Sequence, residues 1–177
     1  RVTIVEMNKS LIPFEEPEIS DLLKKTLEKR MAIYTDTIAD NIVRVNNRNE
    51  VHLKNNTSGE AVSVSGEAVL IATGRVSNAD RLQPSNSGIQ TGKGNFVNVD
   101  EFLMTSKPNI WAIGDASGRQ MFTHAGDKEA EIAWNNATTN SKLRMEFDKV
   151  PHAVFTNPQI ASIGLTESEA KKSYRII

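Results

Sequence analysis

The segment that most constrains the fold of this chain is Asn109–Gly118, with the sequence NIWAIGDASG. Its apolar residues Ile110–Ile113 lie between Pro108 and a glycine, a pattern that predicts a buried strand of a parallel sheet. Glycine at the carboxyl end of such a strand lets another molecule approach the backbone, and ligands of open α/β sheets bind at that end. Asp115 can accept two hydrogen bonds from hydroxyl groups there, which points to a hydroxyl-rich cofactor. The alternative is a turn aspartate that caps the following segment.

The composition excludes several classes of function. The chain has 177 residues and a formal net charge of −1, which suits one domain or pieces of two and gives no support to a nucleic-acid partner. Its apolar runs are far shorter than the ~20 residues that span a bilayer, and no signal peptide is visible, so we expect a cytoplasmic protein with no membrane partner. The absence of cysteine excludes disulfides, thiolate metal sites and a thiol nucleophile within these residues.

Both ends of the sequence lie next to predicted elements. Residues 1–6 already have the pattern of a strand, and no start signal precedes them. The chain breaks off just after a predicted helix that Thr166 caps, with Glu169 completing a capping box. We interpret the chain as an interior piece of a longer polypeptide.

The first predicted strand, Val2–Val5, ends at Glu6. In a dinucleotide-binding unit, an acidic residue at the end of the second strand hydrogen-bonds the ribose hydroxyls of the adenosine. Its carboxylate would repel a 2′-phosphate, so NAD is favoured over NADP, although Lys9 weakens that preference. The glycine-rich turn that should precede it by ~20 residues is absent from these residues, and an acidic residue that merely ends a strand is the alternative.

Periodicity predicts the next elements. Pro17–Arg30 has the pattern of an amphipathic helix. Its apolar face consists of Ile19, Leu22, Leu23 and Leu27. From Met31 to Thr73 the period changes to two, which predicts a meander of short strands. These strands are Ile33–Thr35, Ile42–Val45, Val51–Leu53, Val62–Val64 and Val69–Thr73.

A second helix is predicted after the loop that follows Asp115. It should begin near His124 and run to about Ala137, with small and apolar faces. Gly126 lies in its first turn and weakens it by about 1 kcal/mol relative to alanine.

Two further segments complete an ordered set of motifs. Leu70–Arg75 has the sequence LIATGR, and Pro151–Gly164 has the sequence PHAVFTNPQIASIG. Together with NIWAIGDASG, in this order and at these spacings, they resemble the flavoprotein disulfide oxidoreductases, the group of dihydrolipoamide dehydrogenase, mercuric reductase and mycothione reductase. The resemblance covers essentially the whole chain.

The resemblance implies an α/β fold built from parts of three domains. Residues 1–75 would form the second part of a Rossmann-like NAD(H)-binding domain. Residues 76–148 would form the second part, or return segment, of the FAD-binding domain. Residues 149–177 would begin the α+β interface domain that makes such an enzyme a homodimer, and His152 is not the family's catalytic histidine.

The resemblance also implies the cofactor contacts. The expected residues are Glu6, Ala39 and Gly74 for NAD, and Gly114, Asp115, Met121, Phe122, Thr123 and His124 for FAD. The amino end of the second helix would stabilise negative charge on the N1–C2=O edge of a reduced flavin. For His124 the alternative is a satisfied histidine packed near the helix start. Arg75 is expected to be an ion-pair partner near a hinge, and the segment is expected to hold no catalytic residue and no metal ligand.

The implied activity is that of an FAD-dependent oxidoreductase that passes electrons between NAD(H) and a disulfide or dithiol substrate, which could be a small molecule or a lipoyl protein. A mercuric or mycothione reductase has the same cofactor logic and stays open as an alternative. A catalytically inert fragment is a further alternative, since the redox-active cysteine pair of the family is absent from these residues. A plain NAD-binding module is disfavoured by the Gly114-Asp115 and Met121–His124 groups.

Overall fold

The computed structural model describes residues 1–139 and 141–175. This described part divides into two compact units, one with residues 1–72 and those from 165 onward, the other with residues 73–164. The division into domains at residues 75 and 148 stays a prediction, and the last two residues of the third expected domain lie outside the described part.

The first unit begins with a β-α-β arrangement. β1 (Val2–Val5) pairs in parallel with β2 (Met31–Tyr34), and α1 (Pro17–Glu28) connects them. Pro17 lies at the first helical position, where a backbone N–H would have no helical partner. The predicted helix is therefore confirmed, and it ends at Glu28. Its buried face carries Ser20, Leu23 and Leu27, whereas Ile19 and Leu22 of the predicted apolar face are 37% and 56% exposed.

An antiparallel sheet follows. It consists of β3 (Thr37–Val45), β4 (Arg48–Asn55) and β5 (Ala61–Gly66), with β4 in the centre. Asn46 and Asn47 connect β3 to β4 with positive φ angles of 48° and 63°, as a two-residue hairpin turn requires. The predicted meander is confirmed in this part of the chain.

The central strand β4 shows why the period of two is informative. Val51 and Leu53 are buried, with 8% and 1% of their surface exposed. His52 lies on the opposite face, as alternation along a strand demands, and its Nδ1 is 2.8 Å from the hydroxyl of Ser63 on β5.

The last strand of the predicted meander is wrong. Residues Val69–Thr73 form no strand, and the side chains of Leu70 and Ile71 are 91% and 72% exposed. An apolar run becomes a buried parallel strand only when neighbouring strands hydrogen-bond to it on both edges. Within the described residues no strand pairs with this segment, so its apolar pattern is left without the burial that it predicts.

The buried strand predicted for Ile110–Ile113 is also wrong. This segment instead forms irregular antiparallel contacts with residues 103–105, in which the amide of Ala112 donates to the carbonyl of Leu103 at 3.1 Å. A single bridge joins Trp111 to Met104. Two of the predicted buried side chains, those of Ile110 and Ile113, are 39% and 37% exposed.

The second unit is built around α2 (Thr123–Thr139), which confirms the predicted helix. The helix turns its small and apolar face toward the core of this unit. The buried residues of that core are Leu103, Ala125, Ile132, Ala133, Met145 and Val150. A helix of this length presents one face to the core over several turns. The loops that carry Leu103, Met145 and Val150 pack against that face.

A short hairpin and a short helix follow α2. β6 (His152–Val154) and β7 (Ile160–Ser162) form an antiparallel hairpin in the second unit. α3 (Glu167–Ala170), in the first unit, begins with the predicted capping box, in which Thr166 and Glu169 hydrogen-bond each other's backbone N–H. Among the described helices, none is long and apolar enough to cross a membrane.

We predict that Gly118→Ala destabilises the second unit. Gly118 has φ +69°, and a Cβ there would overlap the ring of Phe96. Strain and overlap of this kind cost on the order of 1–3 kcal/mol, to be measured as the change in the free energy of urea unfolding of the full-length protein.

Gly126→Ala is the matched control for that prediction. A Cβ at Gly126 would meet only the Cα of Gly114, at an ordinary 3.7 Å. Alanine favours a helix interior by roughly 1 kcal/mol over glycine, so this variant should be more stable than the parent. Equal effects of the two substitutions would contradict the assigned geometry of Gly118.

Candidate functional site

Glu6 lies directly after β1, and its backbone is hydrogen-bonded to the segment that leads from β2 into β3. Its N–H donates to the carbonyl of Tyr34 at 2.8 Å, and its carbonyl accepts from the N–H of Thr37 at 3.0 Å. The side-chain Oε1 accepts from both the backbone N–H and the side-chain amide of Asn8, each at 2.7 Å. The half-buried carboxylate is therefore oriented at the carboxyl end of a parallel strand, where nucleotides bind in α/β sheets.

The other two residues expected to contact NAD are in less regular backbone. Ala39 is exposed on β3 opposite Leu53, next to a register shift that separates it from Asn41. Gly74 has φ +103°, and a Cβ there would contact nothing within 4 Å. Glu6 and Ala39 belong to the first unit, whereas Gly74 and all the residues expected to contact FAD belong to the second.

Gly114 and Asp115 form a short 3₁₀ turn that runs from Gly114 to Ala116. The carbonyl of Gly114 accepts from both the N–H and the hydroxyl of Ser117 at 3.0 Å. The carbonyl of Ala116 accepts from the N–H of Val97 at 2.9 Å. The turn is therefore fixed by its own backbone, and Gly114 (φ +61°) leaves open space where a side chain would lie.

The carboxylate of Asp115 is paired with Arg75. Arg75 Nη1 lies 3.1 Å from Asp115 Oδ2 and 3.9 Å from the sulfur of Met121, so it joins two of the expected flavin contacts. The expectation that Arg75 makes an ion pair is confirmed. Both side chains are about two-thirds exposed, so the pair stabilises the fold by at most about 1 kcal/mol. A carboxylate has two oxygens with room for several donors, so the pair leaves Asp115 able to accept hydroxyl hydrogen bonds.

Glu129 is the site residue that sequence reasoning missed. It lies on α2 and is completely buried, and its Oε2 accepts the N–H of Gly114 at 2.5 Å. Within the described chain, its other oxygen, Oε1, is buried without a hydrogen-bond partner. Burial raises the pKa of the Glu129 carboxyl above its usual 4.5; the nearby charge of Asp115 acts in the same direction, while the Gly114 hydrogen bond and Arg119 oppose it.

A signal for Glu129 was present in the sequence. The buried face of α2 repeats at helical spacing through Ala125, Ile132, Ala133 and Asn136, and Glu129 falls within that stripe. A carboxylate on the core face of a helix is uncommon unless it has a partner. The position of Glu129 on the core face could thus be predicted from the sequence, but its partner, the N–H of Gly114, could not.

Phe122 lies between two histidines at the start of α2. Its ring stacks on those of His124 and His152, with centroid distances of 5.7 Å in both cases. Nε2 of His124 lies 2.7 Å from the carbonyl oxygen of Pro151. Because a carbonyl only accepts, Nε2–H must donate, and the geometry is that of a hydrogen-bonded histidine packed at a helix start.

These residues fit a ligand that carries hydroxyl groups and negative charge. Asp115 offers an exposed acceptor, Gly114 leaves space beside it, and the first turn of α2 has backbone N–H groups that the helix itself does not satisfy. In the first unit, the oriented carboxylate of Glu6 fits the hydroxyls of a ribose. No group of three or more residues able to hold a metal ion was found in the described part of the chain.

A sequence model described as pyridine nucleotide-disulphide oxidoreductase matches residues 1–130. The chain belongs to this family. Its α/β fold is therefore confirmed, and members of the family and its dihydrolipoyl dehydrogenases use FAD and NAD.

Curated relatives match almost the whole chain. A mercuric reductase of Staphylococcus aureus is 31% identical over 172 residues, which cover 97% of this chain and 31% of that protein. A dihydrolipoyl dehydrogenase of Synechocystis sp. is 31% identical over 179 residues, which cover 97% of this chain and 37% of that protein. The chain thus spans about a third of the length of the curated relatives that it matches.

Solved structures give the same family. The HOCl-induced flavoprotein disulfide reductase RclA from Escherichia coli superposes with a TM-score of 0.81 at 29% identity, over 98% of this chain and 39% of that one. LpdA from Mycobacterium tuberculosis superposes with a TM-score of 0.82 at 26% identity, over 97% of this chain and 36% of that one.

We predict that Glu129→Gln makes stability less dependent on pH. The folded protein holds the Glu129 proton more tightly than the unfolded chain does, since burial raises its pKa. The parent's free energy of unfolding should therefore fall as pH rises from about 4.5 through the folded-state pKa, by at most about 1.4 kcal/mol per pH unit. Glutamine does not titrate, so the variant should be the more stable protein at neutral pH and should lose this advantage in acid.

Urea unfolding of the full-length proteins at several pH values measures this difference. Glu131→Gln is the control, because Glu131 lies on the same helix but is exposed and pairs with Lys128 at 2.7 Å. A parent and a Glu129→Gln variant with parallel pH profiles would show that the buried carboxyl does not titrate differently on folding.

Proposed function

We propose that the full-length protein is an FAD-dependent oxidoreductase that passes electrons between NAD(H) and a disulfide or dithiol substrate. The observation that carries the proposal is the Gly114–Asp115 turn, fixed beside the start of α2 in a chain of this family. The turn offers an acceptor for hydroxyl groups, and the helix start offers N–H groups for negative charge. Both features suit a flavin nucleotide.

Each residue of the site has a part in this proposal. Glu6 accepts hydrogen bonds from the adenosine ribose of NAD, and the backbones at Ala39 and Gly74 approach the same nucleotide. Asp115 accepts hydroxyl hydrogen bonds from FAD. Next to it, the segment Met121–His124 places the amino end of α2 toward the flavin, with the His124 proton committed to the carbonyl of Pro151. FAD, when bound, supplies the two-electron chemistry by which electrons pass between NAD(H) and the disulfide or dithiol substrate.

The relatives' names support a lipoyl dithiol as substrate. Relatives named dihydrolipoyl dehydrogenase and mercuric reductase are equally similar to this chain, at 31% identity, so reduction of mercuric ion or of another disulfide is the alternative. These 177 residues contain no cysteine and provide no thiol to take electrons from the flavin. That observation favours a second candidate, a catalytically inert fragment, in which these residues by themselves show no turnover.

The domain organisation and the assembly are parts of the same proposal. Residues 1–75 act in the NAD(H)-binding domain, 76–148 in the FAD-binding domain and 149–177 in an interface domain of a homodimer. Exposed apolar side chains beside the β6–β7 hairpin support an interface there, with Phe155 at 85% and Ile163 at 64% exposed. We place the protein in the cytoplasm, with no nucleic-acid partner.

The nucleotide preference should depend on Glu6. In the full-length protein, Glu6→Arg replaces repulsion of a 2′-phosphate with attraction. The ratio of kcat/KM for NADPH to that for NADH should rise about tenfold or more, which corresponds to ~1.4 kcal/mol of transition-state stabilisation.

Glu28→Arg is the matched control for Glu6→Arg. It makes the same change in charge in the same unit, but Glu28 ends α1, at the opposite edge of the sheet from the carboxyl end of β1. The control should leave the ratio unchanged. An unchanged ratio in Glu6→Arg as well would remove Glu6 from the nucleotide site.

The activity itself is tested by comparing the 177-residue chain with the full-length protein. Both are purified, supplied with FAD and assayed for NADH oxidation with lipoamide, with mercuric ion and without acceptor. The full-length protein should be yellow and reduce lipoamide, and the 177-residue chain should show no turnover because it has no thiol. Turnover by the short chain would contradict the need for cysteines, and a full-length protein that reduces only mercuric ion would select the alternative substrate.

A further inference from the structure

The buried carboxyl of Glu129 links two parts of the second unit. One part is the turn that begins at Gly114, and the other is the helix α2, which carries Glu129 and begins at Thr123. Glu129 is completely buried, and its Oε2 accepts the N–H of Gly114 at 2.5 Å. Because Glu129 is completely buried and contacts the turn, any effect on a bound cofactor must act through the turn.

The hydrogen bond from Gly114 complements those that the turn makes for itself. Backbone and hydroxyl donors satisfy the carbonyls of Gly114 and Ala116, as described above. The N–H of Gly114 is satisfied by Glu129. A buried N–H without an acceptor is strongly disfavoured, so loss of the acceptor would force the turn to move toward another partner or toward water.

The helix and the turn also pack closely against each other. A Cβ on Gly126 would lie 3.7 Å from the Cα of Gly114, so the helix backbone passes directly beside the turn. Glu129 lies one turn further along the same helix. Together these contacts set the distance between Asp115 and the amino end of α2.

We propose that Glu129 is a positioning residue for flavin binding, which holds Asp115 at the correct place relative to the amino end of α2 by accepting the Gly114 N–H. The inference rests on the proposed function, since it assumes that Asp115 binds the flavin. The role requires one acceptor oxygen at the correct reach, since Oε2 makes the contact and Oε1 is buried without a hydrogen-bond partner in the described chain. It does not require a charge, because the uncharged oxygen of an amide also accepts an N–H.

Three substitutions separate reach from charge. Glu129→Gln keeps the length and an acceptor oxygen but removes the charge. Glu129→Asp keeps the charge but is one methylene shorter, and Glu129→Leu removes the acceptor. The Kd for FAD is measured by titration of the full-length apoprotein. We expect the Kd of Glu129→Gln to stay within about threefold of the parent value. We expect the Kd of both Glu129→Asp and Glu129→Leu to rise about tenfold or more.

A double substitution tests whether Glu129 acts through Asp115. Asp115→Ala alone should raise the Kd for FAD by about tenfold or more. In that background, Glu129→Leu should raise it by less than about threefold further, since the residue that it positions is already gone. Glu131→Gln, on the exposed face of the same helix, is the control and should not change the Kd.

Folding of each variant is checked by circular dichroism and urea unfolding. If Glu129→Leu does not fold, the comparison of Gln with Asp carries the test. Gln and Asp variants of equal affinity, or a Leu effect that is undiminished in the Asp115→Ala background, would overturn the positioning role. A parent that binds FAD and needs Asp115, but tolerates every Glu129 variant, overturns this inference alone. A parent that binds no FAD overturns the proposed function together with it.

Discussion

The burial of one face of α2 is the constraint on which the second unit depends. The apolar residues of that face, with Leu103 opposite them, exclude water from the centre of the unit. The same face also takes the carboxyl of Glu129 out of water, which lowers stability unless hydrogen bonds offset the loss. A single face thus builds the core and fixes the turn at Gly114, so the geometry of the site follows directly from the packing of the fold.

Local signals in the sequence predict local structure well. Pro17 lies at the first helical position, where an N–H would have no helical partner, and the asparagine pair between β3 and β4 adopts the positive φ angles of the turn. The capping box at Thr166 satisfies two backbone N–H groups within four residues. Their outcome does not depend on distant parts of the chain. The strands predicted at 69–73 and 110–113 fail for the opposite reason. An apolar run indicates only that a segment can be buried. Pairing with other strands decides whether the segment becomes a strand.

The candidate site divides in the same way. Glu6 and Asp115 were chosen because each follows an apolar run, and the carboxyl ends of strands are where α/β proteins bind ligands. Only Glu6 follows a strand in the structure, since residues 110–113 form none. The partners of these carboxylates were not predictable in detail. The pairing of Arg75 with Asp115 spans 40 residues, and the contact from Gly114 to Glu129 depends on how closely a helix approaches a turn. Sequence reasoning therefore selected the carboxylates that we propose as cofactor contacts, but not the groups that hold them.

The hydrogen bonds from Asn8 to Glu6 have a consequence for the entropy of ligand binding. Two hydrogen bonds from one residue to Oε1 restrict the rotamers of the glutamate before any nucleotide arrives. Immobilising a flexible side chain during association costs about 0.5–1.5 kcal/mol. In this protein that ordering occurs during folding, so Glu6 is a preorganised acceptor. The contact that we propose with a ribose would therefore not carry the full cost of fixing the side chain.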